Sequence, residues 1–127
     1  MNTFIIGLGS NIDPEKNIAA ALKELAGHFK ICGQTPVKRT KPVGPQEQPD
    51  FFNGAVLAQT DKDRAGIKAV LRGIENQLHR DRTGPACGPR TIDLDILVWN
   101  DTVVDQDFYT RDFLREEVLR LKPDLKY

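Results

Sequence analysis

No apolar run in this chain approaches the ~20 residues that a helix needs to cross a bilayer, so neither a membrane span nor a membrane partner is expected. Cysteine is scarce. Cys32 and Cys87 stand far apart and form no C-x-x-C pair, so free thiols in a reducing compartment fit them better than a disulfide framework. His28 and His79 are equally isolated, which removes any recognisable zinc constellation. Neither sign of charge prevails: 18 Lys and Arg against 18 Asp and Glu give a net charge of zero. That balance argues against a domain that grips nucleic acid through a broad basic surface, so any phosphate must be met by a local cluster. The N-terminus lacks the basic n-region of a secretory signal, and a cytoplasmic location is expected.

What is present suits one small globular unit. A chain of 127 residues with 39 % hydrophobic content can bury roughly two-thirds of its unfolded surface, and a single domain over residues 1–127, working as a monomer, is expected. Residues 3–9 read as a buried strand running into the turn at Gly9-Ser10-Asn11. Asp13 and Pro14 then suit an N-cap and first helical position, with Ile18, Leu22, Leu25 and Phe29 at helical spacing and Gly27 as a stop signal. Residues 30–39 are a weaker strand candidate, and Thr40 to Asp50, with three prolines, is a loop. Phe51 to Gln59 alternates as a strand. Ile67, Val70, Leu71, Ile74 and Leu78 form the stripe of a second helix, capped by Asp61 or Asp63 and ending near Arg80. A Gly/Pro loop over 83–90, a strand over 91–99, a turn at Asn100-Asp101 leading to Thr102–Val104, and a short helix over 113–121 complete the chain. The order β-α-β-β-α-β predicts an α+β, ferredoxin-like sandwich: an antiparallel sheet with helices on one face and an appended β-hairpin.

The chemistry concentrates in three places. In Arg90-Thr-Ile-Asp-Leu-Asp-Ile-Leu-Val98, strand alternation directs Ile92, Leu94, Ile96 and Val98 one way and Asp93 and Asp95 the other. Two like charges on one face are costly unless a cation lies between them, and Mg²⁺ is a natural guest for paired carboxylates with substrate phosphates. A solvated strand face is the alternative, and spacing alone leaves both open. Arg80, Arg82 and Arg90 bracket the Gly/Pro loop. Such cations on a flap over two acids are the parts of phosphoryl transfer, although a helix C-terminus also favours Arg80 and Arg82. Phe51 and Asn53 share a face while Phe52 takes the other, so a ring and an amide are offered together to a planar heteroaromatic molecule; a core Phe and a turn-capping Asn are the alternative. Gly7 and Gly9 make only G-x-G, and no phosphate-binding P-loop motif occurs.

Phe4 to Asn11, Pro42 to Asn53, Glu75 with Arg80-Asp-Arg82, and Gly88-Pro-Arg-Thr-Ile-Asp-Leu-Asp-Ile-Leu97 resemble, in order, the successive signatures of the 6-hydroxymethyl-7,8-dihydropterin pyrophosphokinase family. The resemblance implies a ferredoxin-like sandwich that moves the β,γ-pyrophosphoryl unit of ATP onto the hydroxymethyl group of the dihydropterin. It implies two Mg²⁺ held by Asp93 and Asp95, with Arg80 and Arg90 as catalytic cations and Arg82 assisting. Phe51 and Phe113 would sandwich the pterin, Asn53 would read its edge, and backbone near Thr40 and Val43 would complete that pocket. Glu75, Ile96, Thr110 and Arg111 would line the ATP side. The chain departs from the family pattern where Cys87 replaces an aromatic residue on the flap. It departs again where Tyr109-Thr110 passes directly to Arg111-Asp-Phe113 without the usual Pro-His segment, and the family's C-terminal extension does not appear. The alternative implied by those losses is a catalytically weakened or non-catalytic module that binds pterin or nucleotide; an RNA-binding domain of the same topology is disfavoured by the charge balance.

Overall fold

A computed structural model describes residues 1–41, 47–79 and 91–127. Strand β1 (Asn2–Ser10) is the centre of the sheet, and every residue from Phe4 to Ser10 is buried. The strands β2 (Lys30–Gln34), β4 (Phe51–Thr60), β1, β5 (Asp93–Trp99) and β6 (Thr102–Val103) lie side by side in that order. All pairings are antiparallel, and β3 (Lys38–Thr40) extends the β2 edge of β4. The expected strand over 30–39 is therefore two strands. Thr35 explains the break: its N–H and Oγ1 both bond to Ala55, and Pro36, which has no N–H, cannot continue the ladder.

Alternation gives β1 two unlike faces. Phe4, Ile6 and Leu8 pack with Val56, Ala58, Leu94 and Ile96 beneath helices α1 (Pro14–His28) and α2 (Arg64–Gln77), which contribute Ile18, Leu25, Ile67, Leu71 and Ile74. α2 is capped as expected by Asp63, whose Oδ1 accepts from the N–H of Gly66 at 2.7 Å. α1 differs from expectation: Asp13 is left-handed (φ 42°) and its side chain makes no cap bond. Gly27 lies inside the helix rather than ending it.

The ferredoxin-like βαββαβ arrangement thus holds, with α1 and α2 together on one face. The C-terminal segment adds a layer on part of the other face, where α3 (Asp107–Thr110) and α4 (Asp112–Leu121) bury Phe108 and Val118 against Ile5, Ala55, Leu97 and Val98. Val98 was expected on the helix side with Ile96 and is not there. A β-bulge at Leu97, between the pairs Ile6 with Ile96 and Ile5 with Val98, puts Leu97 and Val98 on the same side. The β5–β6 hairpin turns through Asn100, which adopts φ 52°, and pairs Trp99 with Thr102. Among the described residues, no helix is long and apolar enough to cross a membrane.

Candidate active site

The second face of the sheet is only half covered by α3 and α4. Ile5, Ala55 and Leu97 mark the edge of the covered half on the three central strands. One pleat further along the same strands come Gly7, Asn53 and Asp95, and beyond them Gly9 and Asp93. The register places Gly9 between Asn53 of β4 and Asp93 of β5, and Gly7 between Ala55 and Asp95. Directly paired residues share a face, so an amide and two carboxylates flank a strip of central strand that carries no side chains. Two interstrand spacings, roughly 10 Å, separate Asn53 from Asp93. That strip can accept a flat molecule at the Asn53 side and a phosphate chain at the Asp side.

The amide side is tightly built. Asn53 is 9 % exposed, and its Nδ2 donates a short hydrogen bond to Thr40 Oγ1, which fixes the direction of the amide. Phe51 pairs with Thr40, and Phe52 packs towards the helix-side core, so the expected division of Phe51 and Asn53 from Phe52 is what the register produces. Asp50, just before Phe51, bonds Arg39 at 3.0 Å. Asn11 holds the same segment from the other side: its Nδ2 donates to Gln48 Oε1 at 2.8 Å and to the carbonyl of Pro49 at 3.0 Å. The sequence reading took Gly9-Ser10-Asn11 for a turn and missed this anchoring amide. No local signal in the sequence marks it; it shows only in the structure, where Asn11 is buried and its amide is satisfied by the 48–49 segment.

On the acid side, Asp95 is exposed and Asp93 half-buried. Leu94, between them, points into the helix-side core, and its N–H donates to Glu75 Oε2 at 2.9 Å. Glu75 is buried on α2 and so fixes β5 at the residue between the two acids. The side chain of Ile96 is also in the helix-side core, across the sheet from the carboxylates, whereas the Glu75 carboxylate reaches the backbone of the residue between them. Thr110 is exposed at the end of α3, Arg111 lies 3.5 Å from Asp107 Oδ2, and Phe113 is half-buried at the start of α4. Val43, Arg80, Arg82, Cys87 and Arg90 fall outside the described residues.

Among the described residues, no group of three or more His, Cys, Asp or Glu could cage a metal. Two carboxylates on one strand face do suit an ion that takes the rest of its shell from phosphate oxygens and water. A residue that sequence reasoning overlooked is Glu117 on α4: it is 2 % exposed, and burial pushes its carboxyl up to about 7 against the pull of Lys38 and Arg120. Residue type alone reads as a solvent-facing charge, but its spacing, four residues from both Phe113 and Leu121, was the signal that could have found it.

The chain is 30 % identical over 136 residues to the 2-amino-4-hydroxy-6-hydroxymethyldihydropteridine pyrophosphokinase of Haemophilus influenzae, covering 98 % of this chain and 84 % of that one. The Pseudomonas aeruginosa protein of the same name is 31 % identical over 132 residues, covering 95 % and 81 %. The Bacillus subtilis protein of that name is 37 % identical over 102 residues, covering 78 % and 60 %. In fold, the chain is similar to a crystal structure of Plasmodium falciparum HPPK-DHPS, with a TM-score of 0.60 at 15 % identity over 91 % of this chain and 33 % of that one. Residues 5–123 match the family described as 7,8-dihydro-6-hydroxymethylpterin-pyrophosphokinase (HPPK), and the chain belongs to that family.

Proposed function

We propose that this chain is an active pyrophosphokinase that takes ATP and 6-hydroxymethyl-7,8-dihydropterin to AMP and the pterin diphosphate. The observation that carries the reading is the side-chain-free strip of β1, with Asn53 and Phe51 on one flank and Asp93 and Asp95 on the other. The hydroxymethyl oxygen of the pterin attacks the β-phosphorus, the bond from that phosphorus to the α-phosphate oxygen breaks, AMP leaves, and the hydroxyl proton passes to solvent. No side chain is needed as general base when positioning and charge neutralisation supply the catalysis.

Each part of the chain then has a task. Asn53, held by Thr40, reads the edge of the pterin, while Phe51 and Phe113 stack on its faces. Asp93 and Asp95 would hold two Mg²⁺, which would supply charge neutralisation for the triphosphate. Arg80 and Arg90 complete the charge balance as the transferred group separates, and Arg82 assists. Thr110 and Arg111 approach the nucleotide from α3, Glu75 lines the ATP side while fixing the backbone of Leu94, and Ile96 contributes its backbone only. This reading makes residues 1–127 one catalytic domain, cytoplasmic and monomeric, with small-molecule partners only.

The test is AMP release from ATP in the presence of hydroxymethyldihydropterin and Mg²⁺. Pterin-dependent AMP supports the proposal. Binding of both substrates without AMP would overturn it in favour of a non-catalytic binding module.

A further inference from the structure

Among the described residues, Glu117 is the one whose carboxyl burial holds far from its ordinary range. It lies where α4 meets the sheet, and neither carboxylate oxygen has a hydrogen-bond partner. Residues four apart follow one line along a helix, so Phe113, Glu117 and Leu121 form a single stripe. Leu121 marks where that stripe leads: its Cδ2 lies 3.3 Å from the position a Cβ on Gly33 of β2 would take. Phe113, at the other end of the stripe, is half-buried in the first turn of α4.

The charges facing Glu117 are few. Lys38 on β3 acts on it through space without a hydrogen bond, as do Arg120 and Glu116 of its own helix. The strands β1 and β4 beneath α4 carry no titratable residue. On β2, Lys30 and Cys32 are exposed; on α3, Asp107 is engaged with Arg111; on β5, Asp93 and Asp95 lie beyond Leu97 at the far end of the strand. Lys38 is exposed, and its Cα pairs in register with that of Asn53. A carboxyl without hydrogen-bond donors is tolerated in such a place as the neutral acid and penalised as the anion.

We propose that Glu117 and Lys38 form a proton-operated latch on α4: the protonated acid lets the helix seat fully on the sheet, and the ionised one must be met by Lys38 turning in beside Asn53. The latch adjusts the position of Phe113, and therefore pterin binding rather than the transfer step; this second half rests on the proposed function. The sign follows from the two states. The folded chain keeps this proton up to about pH 7 while the unfolded chain releases it near 4.5, so the contribution of Glu117 to stability is highest below 4.5, declines as pH rises through that window, and levels off above 7.

Thermal melts between pH 5 and 8 test the latch on the whole chain. The melting temperature of the wild type, relative to Glu117→Gln, is expected to fall by about 10 °C across the range, with a steeper fall in Lys38→Met. Parallel curves for wild type and Glu117→Gln would overturn it. If the Gln variant does not fold, Glu117→Leu, which asks for no buried hydrogen bond, serves as the pH-flat reference. Calorimetric titration with hydroxymethyldihydropterin, Mg²⁺ and a non-hydrolysable ATP analogue tests the link to the site. The wild-type Kd is expected to rise about threefold or more from pH 5.5 to 8 while that of Glu117→Gln stays level, and parallel Kd profiles would overturn the link. Should neither protein bind the pterin, the proposed function fails, while the melts still decide the latch.

Discussion

Replacing Gly9 with Ala tests the side-chain-free strip by a single methyl group. The new Cβ would stand 2.9 Å from Asn53 Oδ1 and 3.8 Å from the carbonyl of Phe52. Ordinary contact begins near 3.4 Å, so the amide must retreat by about 0.5 Å. It is not free to do so, because Asn53 is buried and its Nδ2 is committed to Thr40. A weakened hydrogen bond of about 1 kcal/mol, with overpacking at the low end of 1–3 kcal/mol, gives an expected loss of about 1–2 kcal/mol. For a chain of this size the Tm falls by about 4–8 °C. The displaced amide also misses the pterin edge, and one lost hydrogen bond of about 1 kcal/mol raises the pterin KM about fivefold while leaving that of ATP unchanged. Gly27→Ala is the control: no atom lies within 4 Å of its Cβ position, and a helix-interior Gly→Ala change adds about 0.5–1 kcal/mol with both KM values unchanged. Scanning calorimetry and steady-state kinetics on the two variants decide the matter. A Gly9→Ala protein with wild-type Tm and wild-type pterin KM, or one impaired only for ATP, would refute the reasoning.

Asp93→Asn and Asp95→Asn are each expected to abolish turnover at saturating Mg²⁺ while the circular dichroism spectrum holds; wild-type rates in either would remove the metal assignment. Arg90→Ala is expected to lower kcat on the order of 10²-fold with a smaller change in the ATP Kd, measured by pre-steady-state kinetics and calorimetry, and a change confined to the Kd would reduce this arginine to docking. Glu75→Ala leaves the buried N–H of Leu94 without its acceptor and is expected to cost about 1–3 kcal/mol in denaturant unfolding, whereas Glu75→Gln keeps a carbonyl oxygen there and loses less; equal losses would show that the hydrogen bond is not what the residue provides.

Much of the site was legible because strand alternation is a local property. Phe51 and Asn53 opposite Phe52, and the two acids opposite Leu94, follow from period two alone. What alternation could not reveal is where the period breaks. The bulge at Leu97 leaves no mark in Ile96-Leu97-Val98, three apolar residues in a row, so Val98 was expected on the wrong face. The ends of the helices were also partly hidden: Asp13 looks like a cap by residue type, yet its left-handed backbone takes its side chain out of the role. Glu117 is the clearest case of tertiary context overriding residue type, since the placement of α4 on the sheet turns an exposed charge into a buried one. The anchoring of Gln48 and Pro49 by Asn11 spans more than 35 positions, and no local rule encodes it.

The bulge and the glycine beside it are two halves of one exchange. β5 carries one residue more than β1 needs, and the surplus side chain, Leu97, lies where a side chain on Gly7 would be: its Cδ1 is 2.9 Å from that Cβ position. The volume absent from the central strand is thus returned by its neighbour, which ends the oily half of the face with a leucine wall and leaves the next pleat bare. A larger residue at 7 would press on the Leu97 side chain, and a regular strand without the extra leucine would leave space over Gly7, so the two positions together set the border between scaffold and workplace.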